Sequence, residues 1–203
     1  MRGRRLLGPA LAGVALLASA LPAQRAPLRS GLWFELGRGT GNIRISCTTC
    51  ERPTSLFGGS GFLRIGGSLS RKVLLSLEVF SLLDDRFEAR GTDSTVTLET
   101  YAVGPTVLWY PWSSGFHLSA GMGVAGVELA LPVTEDVPEL LASGTGVGVH
   151  FGVGLDVPLW RKLSTSASFG VYYSAIGDVP ITENVVDDVI STGYHVSIAL
   201  VLR

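Results

Sequence analysis

Few residues of this 203-residue chain could do chemistry, and their types limit what that chemistry would be. Cys47 and Cys50, in "SCTTCE", are its two cysteines. Two thiolates with no histidine nearby leave a zinc site incomplete, and a thioredoxin-type redox pair needs a helix N-terminus that these surroundings do not supply. In an oxidising compartment the same spacing reads as a small disulfide, modest in its effect because the ring it closes is short. His117, His150 and His195 are the three histidines, while Glu35, Arg64, Glu78 and Asp156 are charges set among apolar and small residues. The acidic pairs in "LDDRF" and "VVDDV" have the charge to hold a divalent cation but not the ligand spacing.

The elements that position these residues are β-strands. In "GTGVGVHFGVGLDVPLW" the even positions from Gly144 to Asp156 are glycine, His150 and Asp156, and the odd ones from Val147 to Val157 are large and apolar. Such period-two alternation makes a strand with one apolar face and one small or polar face. The same parity recurs at residues 32–37, 63–69, 73–79, 100–109, 116–124, 163–173 and 194–202, which predicts eight strands. Short connections fall at "SLSRKV", "YPWSSG" and "PLWRKL"; long polar ones fall at 46–60, 82–96, 128–143 and 175–192. Short turns on one side and long loops on the other are the layout of a transmembrane β-barrel.

The second face decides which way the sheet is turned. It carries mostly Gly, Ser, Ala and Thr with few charges, too few for a solubilising exterior. It fits the narrow interior of a closed eight-stranded barrel, with room for small side chains and a handful of paired polar ones, while the apolar face meets lipid. The four tryptophans test this, because aromatic residues collect at membrane interfaces. Trp109 and Trp112 flank the middle short turn, Trp160 sits in the last, and Trp33 opens the first strand, so all four are expected at the periplasmic rim, with Tyr101 and Tyr194 toward the other.

Counting from the short turns, Arg64 lies between Glu35 and Glu78 on neighbouring strands at comparable depth. Charges in so dry a space must pair or cost several kcal/mol each, roughly, so these three are expected to form a plug. His117 counts near the periplasmic end, within reach of Asp156 on the next strand, while His150 and His195 count toward the other end and do not converge with it. Of the 17 acidic residues, all but Glu35, Glu78, Glu99 and Asp156 fall in the long connections, as solvated outer loops would.

The N-terminus "MRGRRLLGPALAGVALLASALPAQ" has three arginines, an uncharged apolar run and small residues suited to cleavage after Ala20 or Ala23. It reads as a secretory signal peptide over residues 1–23, leaving residues 24–203 as the barrel domain. No cysteine follows at once, so a lipid anchor is not expected, and no later stretch reaches the roughly 18 apolar residues a spanning helix needs. Losing Arg2, Arg4 and Arg5 takes the chain from 16 basic residues to 13 against 17 acidic, which argues against a nucleic-acid partner.

Taken with the alternation that runs from Gly31 to Arg203, these residues resemble the small outer-membrane barrels of the OmpA, OmpX and OmpW kind. The chain departs from the aromatic ending usual in such proteins, closing "IALVLR", and the peptidoglycan-binding domain of the larger members is not expected. The resemblance implies an all-β, closed antiparallel up-and-down transmembrane β-barrel in the bacterial outer membrane. Its implied partners are lipopolysaccharide or equivalent lipids and the barrel assembly machinery, it is expected to be monomeric, and no cofactor or metal is expected. The reading of function is a non-enzymatic structural or surface-contact protein; the alternative is a narrow pore or carrier for small, even hydrophobic, solutes. A lipid-modifying enzyme stands behind both, since "YHVS" sets His195 and Ser197 in the His-x-Ser arrangement found in barrel deacylases, though with no carboxylate to follow.

Overall fold

The computed structural model describes residues 31–50, 53–88, 95–130, 140–181 and 184–203; the expected signal peptide, with cleavage after Ala20 or Ala23, lies outside them. Every segment with period-two parity is a strand: β1 (Leu32–Ser46), β2 (Thr54–Ser68), β3 (Val73–Glu88), β4 (Thr95–Trp109), β5 (Phe116–Ala130), β6 (Leu140–Pro158), β7 (Leu163–Ile181) and β8 (Asn184–Leu202). Each pairs antiparallel with the next, and β1 pairs with β8, so the sheet closes into a barrel. Closure leaves no sheet edge, which is what a β-structure inside hydrocarbon requires.

The two faces fall where the alternation puts them. Leu77, Phe151, Val171 and Ile198 are exposed on the outside, whereas their neighbours Glu78, His150, Tyr172 and Ser197 are buried within. An apolar exterior of this extent is covered by lipid. Tyr101 and Tyr194 each stand eight residues from the level of Trp109 and Leu202 on their own strands. At about 3.3 Å per residue and a tilt of about 40°, eight residues span about 20 Å, close to the apolar height of an outer-membrane barrel.

The short turns are tight. Leu69 and Ser70 donate to the Val73 carbonyl, and Leu159 and Trp160 donate to that of Leu163. Gly115 closes the middle turn at φ +88°, and a Cβ there would collide with the Asp156 carbonyl, so the position requires glycine. In return the Asp156 amide donates to the Gly115 carbonyl, which sets the depth of Asp156 in the barrel.

At the opposite end the strands run further than the sequence pattern indicates. In place of four long loops, consecutive strands are joined by residues 47–53, 89–94, 131–139 and 182–183. Asp84, Asp85, Glu88, Asp178, Asp187 and Asp188 therefore lie on strand extensions rather than in loops. Past the lipid both faces meet water, so parity fades, but the backbone ladder is indifferent to side-chain type and carries the hairpins onward. β7 and β8 absorb register shifts here, with Gly177 at φ +81° and Asp188 at φ +53°.

Candidate functional site

From the short turns to beyond the middle the interior is filled, and not by small side chains alone. Large rings and aliphatic groups occupy it in layers: Trp33, Leu74, Leu108, Tyr110 and Val201 toward the short turns, and Ile43, Phe62, Phe80, Leu82 and Tyr172 beyond the middle. The glycines supply the room. Register sets Gly37 opposite Phe62, Gly121 opposite His150, Gly154 opposite His117 and Gly170 opposite His195. A Cβ on any of these four glycines would overlap the facing ring. Four of the small residues that suggest an open lumen are thus the seats of rings, a cross-strand device that joins a bare backbone to an aromatic cover.

Between these layers lies the charged centre. Glu35 faces Arg64 across β1 and β2, and Arg64 faces Glu78 across β2 and β3. Arg64 Nε donates to Glu78 Oε2 at 2.8 Å and Nη1 to Glu35 Oε2 at 3.2 Å, with all three residues no more than 3% exposed. Glu78 collects three further groups, one from the adjacent β4 and two from across the barrel. Thr106 Oγ1 donates to its Oε2 at 3.0 Å, Tyr172 OH donates to Oε1 at 2.8 Å, and His150 Nε2 lies 3.2 Å from Oε2. Glu35 has no such company, and its Oε1 has no hydrogen-bond partner. The Arg64 guanidinium also rides over the Phe62 ring, 4.5 Å from its centroid. The cluster ties β1, β2, β3, β4, β6 and β7 together across the lumen.

A second charged group sits nearer the short turns. Asp156 accepts from Tyr110 OH at 2.9 Å, pairs with Arg203, and lies 3.5 Å from His117 Nδ1. His150 and His195 instead flank the Tyr172 ring, which stacks on Phe80 at a centroid distance of 4.0 Å. Among the described residues no three His, Cys, Asp or Glu side chains gather as a metal site.

Each residue singled out in the sequence has a definite place. Cys47 and Cys50 form a disulfide in the β1–β2 connection, with Cα atoms 5.1 Å apart. Trp109, Trp112 and Trp160 stand exposed at the short-turn end. Trp33 does not join them: it is 3% exposed and packs inside the barrel. Its odd number places it on the same side of β1 as Glu35, and strand parity overrides its preference for the interface. Ser197, the hydroxyl of the His-x-Ser pair, shares a hydrogen bond with Ser168 at 2.8 Å, and His195 Nδ1 has no hydrogen-bond partner. Sequence reasoning missed Thr106 and Tyr172 as partners of Glu78, and Tyr110 and Arg203 as partners of Asp156. Thr106 and Tyr172 both have interior parity; Thr106 reaches Glu78 diagonally from the paired strand β4, whereas Tyr172 reaches it across the lumen, and which strands face each other there is not written in any one strand.

This architecture is that of the small eight-stranded transmembrane barrels of bacterial outer membranes. Two solved structures illustrate the likeness. Neisserial surface protein A, from Neisseria, superposes with a TM-score of 0.53 at 15% identity, covering 82% of this chain and 95% of its own. Ail, the attachment invasion locus protein of Yersinia pestis, gives 0.51 at 11% identity, covering 84% and 98%. At such identities the likeness is one of fold. No family model and no curated protein matches the sequence.

Proposed function

We propose that the protein is a monomeric, non-enzymatic component of the outer membrane, its barrel a closed and rigid support and its function exercised by the hairpins at the outer end. The observation that carries this reading is the Arg64 bridge between Glu35 and Glu78, with the Phe80–Tyr172 stack beside it, across the full width of the lumen. A hydrated path for ions needs a continuous polar passage, and Gly121, Gly152 and Gly154 of β5 and β6 are covered by His150, Ser119 and His117 respectively. Against a lipid-modifying enzyme stands the commitment of Ser197 to Ser168. Lipopolysaccharide or an equivalent lipid surrounds the apolar belt, and the assembly machinery inserts the chain. The test is planar-bilayer conductance of the refolded chain, with a heat-shifted gel band to show that the barrel has formed. A folded, silent barrel is expected; discrete, reproducible channels would overturn the reading and favour a pore.

A further inference from the structure

The outer third of the lumen differs from the rest. The two inner layers are packed with rings and charges, but here the walls are aliphatic and short, and they leave a cavity of about 170 Å³. Leu98, Val127, Ala142, Val179 and Val189 line it from five different strands. Among the described residues, no lining residue carries a charge. Ile45 in its wall packs at once against this aliphatic layer and against the ring layer of Phe62, Phe80 and Tyr172, which stands between the charged centre and the cavity. Its rim is the Cys47–Cys50 disulfide. Thr48 holds that rim across the barrel seam, donating from its amide to the Asp187 carbonyl at 3.1 Å and from Oγ1 to Asp188 at 3.2 Å.

We propose that this cavity is a binding site for a small, uncharged, apolar molecule taken from the outer side, with the disulfide-bonded loop as its lip. An apolar cavity of about 150 Å³ lined by aliphatic residues stays dry and takes up benzene, which sets the size class at about six to eight carbon atoms. Water gains nothing there, because it needs two to four polar partners and the walls offer almost none. A charged or strongly polar ligand would lose its hydration without compensation. The packed ring layer beneath it makes the site a dead end, so it binds rather than conducts. It rests on the barrel fold and not on the lumen being closed to ions, so the conductance measurement and the one below fail independently.

The test uses the full barrel refolded into nanodiscs of deuterated lipid, with methyl-labelled valine and leucine, titrated with toluene. The expected result is a saturable shift at Val127, Val179 and Val189 that is absent at the lipid-facing Val147 and Val153. Ala142→Phe, which fills the cavity, and Val186→Phe, at its partly buried edge, should each weaken binding by about tenfold or more, with the heat-shifted band retained. Two variants guard against one failing to fold. The proposal is overturned if the shifts are unsaturable and equal at the lipid-facing methyls, or survive both substitutions. It is equally overturned if the cavity methyls show contacts to lipid tails or to another part of the chain in the absence of toluene.

Discussion

Replacing Arg64 by methionine removes the charge at the centre of the lumen and keeps most of the length of the side chain. Two charge-assisted hydrogen bonds are lost, to Glu78 at 2.8 Å and to Glu35 at 3.2 Å. At about 1.5–3 kcal/mol each they sum to about 3–6 kcal/mol. Breaking a buried ion pair from one side costs about 3–5 kcal/mol, in the same range. The cost is not shared equally by the two carboxylates. Glu78 keeps Thr106 on one oxygen and Tyr172 on the other, whereas Glu35 is left with no hydrogen bond at all. Arg64→Met should therefore lower stability by about 3–5 kcal/mol, and adding Glu35→Gln should recover more of the loss than adding Glu78→Gln. The assay is equilibrium unfolding in urea from lipid vesicles, read by the heat-shifted band and tryptophan fluorescence, for the parent and the single and double variants. A loss below about 1 kcal/mol would mean that the bridge is solvated like a surface pair. Greater recovery from Glu78→Gln would refute the assignment of the cost to Glu35.

Three more perturbations follow from the geometry. Gly170→Val places a side chain where the His195 ring sits, so it should destabilise the barrel by about 1–3 kcal/mol, and His195→Ala in the same chain should restore part of that, measured by the same unfolding assay. Replacing Cys47 and Cys50 together by serine opens a four-residue ring and should cost no more than about 2 kcal/mol, leaving the heat-shifted band in place. A chain that unfolds on reduction would contradict this. In variants retaining one tryptophan each, brominated lipids should quench Trp109, Trp112 and Trp160 but leave Trp33 bright; equal quenching of all four would mean that Trp33 faces lipid.

The Arg64 bridge was legible because three short turns supply fixed points from which depth can be counted, and because a charge on interior parity must find a partner. The same count brought His117 to Asp156. It could not show that Tyr172 reaches Glu78 from a strand 94 positions away, because that contact crosses the lumen rather than a strand pair. Nor could it size the outer cavity, whose aliphatic lining looks in sequence like any other stretch of valine and leucine.

Strand parity is a local property: successive side chains leave the backbone on opposite sides, so a single strand of this chain already determines which of its residues meet lipid and which meet the lumen. That much held along the lipid-spanning part of every strand, and it holds for Trp33 too, once parity is allowed to outrank the liking of tryptophan for the interface. What the tertiary structure decided depends on register and closure, which couple residues far apart in the chain. Only when neighbouring strands pair in register do the rings of one find the glycines of the next, and only when β8 joins β1 do those covered faces enclose an interior. The reach of the outer hairpins was decided in the same way, by backbone hydrogen bonds that continue past the membrane, where side-chain pattern no longer reports them.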